Sequence, residues 1–559
     1  MEKIEKEFDK IQTSFNNGKK YLLGANKNIK LAIESYDNYL NELNNCYETL
    51  KKSQQDNDSL NQINKVYITH LAKLSKIFLM IPYYYKAKML CEKIIELDPD
   101  NIDILPNYVK CLNHFGDYSH IKEILNNAKE ENDKIKELKK NNEERIKESK
   151  GEYNLKDIYL KFKEDKSYNL DLAEYKSEKI SIQKDKIKGL IVVSNDEIPK
   201  GELIIASRAI TYVPKLDKNL EKIYYENEEH HFKLLKQIEE KMIYTKEDNP
   251  EIYELYDKEN GNLSLEERHQ NYINNLNKKN LTISEKKLKG IFTNTFQTQL
   301  YLYDEFALAF GLFYYPSFLS HSCVPNTQML GIGDFMFMFT NRLIKKNEEL
   351  FTYYVENDEE YNKRQKKLKN QYGFECQCQL CQIEKKKFKD NPNLKNKISN
   401  YINELIEISS GFDFNIIQSK KDEVLNFIKK NKNNINNYEK GLLYFNLYFL
   451  NYGDYSINYN MLEKALECYE QEKDMEFNIM KYYCLLKMYK INYVFYEYRC
   501  EEVEKKMLKL IEEALGNKHN EYAEILLEDI LELYTSDDDE DISNFQDFKN
   551  GGNEGCRNY

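Results

Sequence analysis

The sequence predicts an α+β protein in which a core of short strands lies between two helical regions. Three observations carry this. Apolar residues recur at helical spacing before residue 150, short β-prone runs broken by glycine and proline start at Ile180, and helical periodicity returns beyond a cysteine cluster near residue 380. At 559 residues the chain exceeds one hydrophobic core and allows roughly three or four folding units.

The first 150 residues read as helices. Ala87, Leu90, Cys91, Ile94 and Ile95 share one face, and Leu97-Asp98-Pro99-Asp100-Asn101 breaks the helix, because proline lacks a donor and restricts its predecessor. A second stripe follows at Ile104, Leu105, Tyr108, Val109 and Leu112. After the Gly116-Asp117 turn comes a third, at Ile121, Ile124, Leu125 and Ala128. Two helices, a proline-bearing turn and a third helix resemble a tetratricopeptide (TPR) repeat, with an ordinary helical bundle as the competing reading. Residues 129 to 150 form a charged, helical connector.

β-prone runs follow at Ile180 and Ile182, Leu190-Ile191-Val192-Val193 and Leu203-Ile204-Ile205, and again at Phe335 to Thr340 and Leu350 to Tyr354. Between about 215 and 300 the chain turns helical, with Ser264-x-x-Glu267 and Thr282-x-x-Glu285 as capping boxes. A sheet interrupted by a helical insertion is the natural reading. Residues 390 to 535 are helical, with stripes at Leu462, Ala465, Leu466, Tyr469 and at Val503, Met507, Leu510, Ile511, Ala514. The acidic tail, 536 to 559, reads as disordered.

Composition narrows the function. With 41% hydrophobic and 31% charged residues the chain is of globular type, and no apolar run is long enough to span a bilayer. The start, Met1-Glu2-Lys3-Ile4-Glu5-Lys6, lacks the apolar core of a signal peptide, so a cytoplasmic and/or nuclear protein is expected. A net charge of −12 provides no basic field to draw the chain onto nucleic acid, and runs such as Asn362 to Lys369 read as solvated helix faces.

Of eleven cysteines, Cys46, Cys91, Cys111, Cys468, Cys484, Cys500 and Cys556 stand alone, as small core hydrophobes or inert thiols. Cys376-x-Cys378-x-x-Cys381 places three thiols within six residues. In a reducing compartment that spacing suggests a metal. Structural zinc takes four ligands, so one must come from elsewhere, and the nearest other cysteines are Cys323 and Cys468.

The surroundings of Cys323 are distinctive. Ser320-His321-Ser322-Cys323-Val324-Pro325-Asn326 resembles the Asn-His-Ser-Cys-x-Pro-Asn signature of SET-domain methyltransferases. Glu348-Glu349-Leu350-Phe351-Thr352-Tyr353-Tyr354 is similar to their second signature, a Gly-Glu-Glu-hydrophobic run ending in the active-site tyrosine. Tyr372-Gly373-Phe374-Glu375-Cys376 and the cluster after it resemble the post-SET zinc segment. Upstream, Lys188-Gly189-Leu190 with Ile198-Pro199-Lys200-Gly201-Glu202 resembles the opening strand pair of the SET fold. Asn294-Thr295-Phe296 resembles a motif of the SMYD branch, and Leu172-Ala173-Glu174-Tyr175 looks, more weakly, like the lead-in of TPR-plus-SET proteins. The resemblance covers about residues 155 to 385.

It implies a TPR-like region at 1–150, a SET domain at 151–355 with knot-like threading and its insertion, a post-SET zinc segment at 356–385, and the helical region beyond. It implies lysine methylation of a protein with S-adenosyl-L-methionine as donor, and one structural zinc on Cys323, Cys376, Cys378 and Cys381. Tyr354 would be the catalytic tyrosine, and Tyr353 would serve sheet packing. Lys188, Gly189, Leu190, Asn294, Ser320, His321, Tyr354 and Phe374 would bind the cofactor. Ser320 and His321 would act mainly through their backbones, although an isolated histidine is otherwise an ordinary core residue. Phe374 would pack on the adenine or plug the zinc site. Asn326 would support the threading of the two signatures. Protein substrates and partners would be met through the helical repeats.

Two departures stand out. No cysteine lies between Cys111 and Cys323, so the MYND finger of the SMYD branch is absent. Ser320 replaces the signature's asparagine, and Ile187 stands at the first glycine of Gly-x-Gly-Leu, where a side chain would crowd the methionine end of the cofactor. These departures motivate an alternative: a TPR/SET scaffold that binds partners without turnover.

Overall fold

The computed structural model describes residues 2–24, 28–53, 56–129, 131–165, 169–214, 223–256, 261–276, 283–299, 307–355, 361–390, 392–409, 414–450, 455–471, 478–495 and 500–535. Thr282 and the acidic tail lie outside them. The protein is α+β, and its chain divides into two compact units. Among the described residues no helix is long and apolar enough to cross a membrane.

The first unit joins residues 1–153 with 171–175 and 210–295. Its helices include Tyr84–Leu97, Leu105–His114 and Tyr118–Asn126, whose predicted stripes are buried at Ala87, Leu90, Cys91, Ile94, Tyr108, Val109, Leu112, Ile121 and Leu125. The insertion is tied to these helices by hydrogen bonds. Asp248 accepts the Tyr84 and Tyr85 N–H groups at 2.7 and 2.5 Å, capping a helix whose own N-cap, Tyr83, has no side chain suited to it. Tyr83 Oη donates to Glu247 at 2.7 Å. The segment at 171–175 is fastened similarly: Ala173 N–H donates to Glu148 and Tyr153 Oη donates to Ala173 O, at 2.8 and 2.6 Å. The Ser264–Glu267 capping box forms reciprocally, with Ser264 N–H on Glu267 at 2.6 Å and Glu267 N–H on Ser264 Oγ at 3.2 Å.

The second unit holds residues 154–170, 176–209 and 296 onward. Among the described residues there are ten strands: β1 (Tyr175–Lys176), β2 (Ile180–Asp185), β3 (Gly189–Ser194), β4 (Leu203–Pro214), β5 (Thr295–Gln299), β6 (Ala307–Phe313), β7 (Ser320–His321), β8 (Thr327–Ile332), β9 (Phe335–Thr340) and β10 (Phe351–Thr352). The main sheet has the order β5-β6-β4-β9-β8, with β1 on β4. β8 and β9 pair antiparallel from Thr327↔Thr340 to Ile332↔Phe335, and every residue of both is buried. That burial explains why β9 reads Phe-Met-Phe-Met-Phe without alternation.

The decisive pairing is the smallest. β7 and β10 run parallel, with Ser320 opposite Phe351 and His321 opposite Thr352. Asn326 stitches the same junction, donating to Glu349 O at 2.9 Å and accepting from Phe351 N at 2.7 Å. The predicted strand at 350–354 is thus ordered ladder only at Phe351–Thr352.

Beyond the sheet, helices Asn437–Tyr448, Tyr455–Glu470, Asn478–Phe495, Cys500–Leu515 and Asn520–Thr535 pack each on the next. They dock on the β-core where Gly516 meets Gly201. A Cβ on Gly516 would stand 2.4 Å from Gly201 O, and both glycines have positive φ, 80° and 76°. Lys200 pairs with Glu513 at 2.9 Å beside this contact.

Candidate active site and metal centre

The helix Tyr361–Tyr372 ends at Gly373, whose φ of 80° lets its N–H turn back to Leu368 O at 3.0 Å. That left-handed stop directs Phe374 and Cys376 back toward the strands. The predicted solvated face at Asn362–Lys369 is present, with Asn362, Lys363, Lys366, Lys367 and Lys369 exposed, while Arg364 and Leu368 on the other face of this helix are fully buried. Arg364 pairs with buried Glu384, so this basic run holds a core ion pair.

The sulfurs of Cys323, Cys376, Cys378 and Cys381 lie within 4.8 Å of one another. The Cys323 sulfur is 3.9 Å from that of Cys376 and 3.5 Å from that of Cys381. Tetrahedral zinc with bonds of about 2.3 Å would separate its sulfurs by about 3.8 Å, so the four thiols fit such an ion. Three of the sulfurs also face N–H groups. Gln365 Nε2 reaches Cys381 at 3.2 Å, Cys378 N–H reaches Cys376 at 3.4 Å, and His321 Nε2 lies 3.4 Å from Cys323. Gln365 also donates to Cys376 O at 3.1 Å and accepts from Cys376 N at 2.9 Å. Nothing in the sequence singled Gln365 out, since it lies among lysines eleven residues before Cys376.

Tyr354 adjoins this centre. Its hydroxyl donates to Leu319 O at 2.7 Å, and its backbone N–H donates to His321 Nδ1 at 2.9 Å. Its ring lies 5.4 Å from His321, 4.9 Å from Tyr372 and 6.3 Å from Phe374. Tyr372 joins this aromatic wall although sequence reading treated it only as part of the approach to the cysteines. Burial, then the negative potential of Tyr372 and Glu349, raises the Tyr354 pKa well above that of an ordinary phenol. The hydroxyl therefore stays protonated. Because its hydrogen is given to Leu319, its oxygen can only accept from anything else that approaches.

The strand pair β2–β3 supplies the other wall. Lys188 Nζ bonds Glu349 Oε2 at 2.6 Å and sits 5.0 Å above the Phe351 ring, while Gly189 and Leu190 open β3. Leu350 N–H donates to Val192 O at 2.9 Å, holding the second signature along β3. Glu349 Oε1 is buried with no hydrogen-bond partner among the described residues, a lone pair suited to a cationic ligand. Ile187 is 95% exposed in the hairpin turn, where Asp185 accepts the Ile187 and Lys188 N–H groups at 2.7 and 2.8 Å.

Thus Lys188, Gly189, Leu190, Ser320, His321, Tyr354, Phe374 and the four cysteines all belong to the second unit. Asn294 belongs to the first, where its buried amide donates to Tyr256 O and Ile291 O at 3.0 and 2.9 Å.

Comparison with known proteins meets this geometry at the same residues. The SET domain family matches residues 189–355, the span from Gly189 to the residue after Tyr354. The chain carries a SET domain. A SET domain-containing protein of Acanthamoeba polyphaga mimivirus is 26% identical over 219 residues, 37% of this chain and 79% of that protein. Human protein-lysine N-methyltransferase SMYD4 is 37% identical over 79 residues, 14% of this chain and 10% of the relative. Mouse histone-lysine N-methyltransferase SMYD3 is 26% identical over 159 residues, 28% of this chain and 36% of the relative. The SET domain therefore has SMYD-family relatives, and the chain spans well under half the length of those two.

Proposed function

We propose that this protein is an S-adenosyl-L-methionine-dependent methyltransferase that modifies lysine in a protein, with one structural zinc on Cys323, Cys376, Cys378 and Cys381. The observation that carries the reading is the Tyr354 hydroxyl, committed to Leu319 O inside an aromatic wall beside the paired signatures. When bound, S-adenosylmethionine supplies an electrophilic methyl on a positively charged sulfur. The chain's own residues do the rest. Tyr354 presents only lone pairs, so it accepts from an incoming amine and orients it. His321, Tyr372 and Phe374 keep water away, which favours the neutral amine that methyl transfer requires. Glu349 offers a buried carboxylate oxygen to positive charge. Lys188, Gly189, Leu190, Ser320 and Phe374 are the proposed cofactor contacts, following the family pattern. A metal bound by four thiolates has no open position for water, so the zinc would pin the post-SET segment and take no part in the chemistry.

The helical regions would receive protein substrates and partners, the N-terminal one in the manner of TPR repeats, in a cytoplasmic and/or nuclear setting. A non-catalytic scaffold is the second reading, resting on Ser320 and Ile187, which replace the family's asparagine and glycine. The test is a thermal shift with S-adenosylmethionine, followed by labelling of a cell extract with methyl-labelled cofactor. A scaffold gives neither stabilisation nor labelled protein.

A further inference from the structure

His321 is bonded on both sides of its ring. The Tyr354 N–H can only donate, so His321 Nδ1, at 2.9 Å, must accept and is unprotonated. In a neutral imidazole the proton is then on Nε2, which lies 3.4 Å from the Cys323 sulfur. A thiolate ligand accepts such a bond. Parallel pairing of β7 with β10 fixes both partners, because it sets His321 opposite Thr352, two residues before Tyr354.

We propose that His321 is a positioning residue that joins the metal centre to the active-site tyrosine, donating from Nε2 to the Cys323 thiolate and holding the Tyr354 backbone from Nδ1. This rests on the zinc reading above and gives the side chain a role beyond the backbone contacts expected of it. Outer partners of metal ligands tune retention of the metal and the electron density on the ligand. Here the same ring also anchors Tyr354, so loss of the metal loosens the tyrosine.

The full-length protein decides it. Zinc content is measured first, then zinc affinity by competition with a chromophoric chelator, for the unmodified protein and three variants. His321→Phe removes both bonds, His321→Asn keeps an acceptor near the Nδ1 position, and His321→Gln keeps an N–H near the Nε2 position. We expect His321→Phe and His321→Asn to bind zinc roughly tenfold more weakly and His321→Gln to recover most of that loss. In cobalt-substituted protein, His321→Phe should move the thiolate-to-metal charge-transfer band to longer wavelength, since the sulfur is then more electron-rich. Hydrogen exchange at the Tyr354 amide should quicken in His321→Phe, and in the unmodified protein when its metal is chelated. One zinc per chain with unchanged affinity, band and exchange in His321→Phe overturns the inference alone. Unmodified protein without zinc overturns the zinc reading and this inference together. If His321→Phe does not fold, the Asn and Gln variants decide, and equal zinc affinity in the two overturns the coupling.

Discussion

Asn326 and Phe351 are locked together: the Asn326 oxygen accepts the Phe351 N–H at 2.7 Å while its amide donates to Glu349 O at 2.9 Å. Asn326 is almost fully buried, so no water replaces it. Asn326→Leu should leave one buried donor and one acceptor unmade and destabilise the second unit by about 2–4 kcal/mol. Urea unfolding measures this, and an unchanged midpoint would show that the two signatures are held together by other contacts.

The Gly201–Gly516 contact makes a second prediction. Gly516→Ala would force a methyl to within 2.4 Å of Gly201 O at a φ of 80°. The strained backbone alone costs about 1–2 kcal/mol, and the overlap adds to it. The helices from Cys500 onward should become more sensitive to protease, and equal protease resistance in the variant would refute the tight docking.

His519 gives a pH dependence. Burial, then Lys518, lowers its pKa to about 4 from an ordinary 6.5, and its ring lies 5.9 Å from Phe339 of β9. Between those values the unfolded chain binds a proton that the folded chain refuses. Stability should therefore be complete above about pH 6.5 and decline as pH falls toward 4. His519→Gln should flatten that part of the pH–stability curve, measured by urea midpoints across the window. A curve identical to that of the unmodified protein would contradict it.

Much of the site was legible in the sequence, for reasons that differ by residue. The apolar stripes around Ala87 and Met507 announce themselves because helices repeat every 3.6 residues. Cys323 was linked to the cluster beyond it only through the signature around it, since no periodicity connects residues more than fifty apart. The two-residue strands β7 and β10 are too short to show any pattern, so their parallel register had to be seen. Strand β6 is apolar without alternation and gave no period to detect. Arg364 and Gln365 were hidden because a run rich in lysine looks solvated wherever it lies. Asn347 stands where the second signature has glycine, with a φ of 62°, a conformation asparagine tolerates better than most side chains.

Removal of the metal forms a fourth prediction. Cys376→Ser, or chelation of the unmodified protein, should loosen the segment from Gly373 to Cys381 and lower methylation while leaving both helical regions folded. Hydrogen exchange separates these effects. Uniform loosening of all helices would mean that the centre supports the whole fold rather than the site.

The most direct test of the central claim is the rate of methyl transfer from labelled S-adenosylmethionine to a protein substrate by the unmodified chain and by Tyr354→Phe. Losing the hydroxyl removes the group that orients the amine, so turnover should drop roughly 10- to 1000-fold with little change in cofactor affinity. Undiminished transfer by Tyr354→Phe would contradict the role of Tyr354, and absence of transfer by the unmodified chain on any extract protein would contradict the enzyme itself.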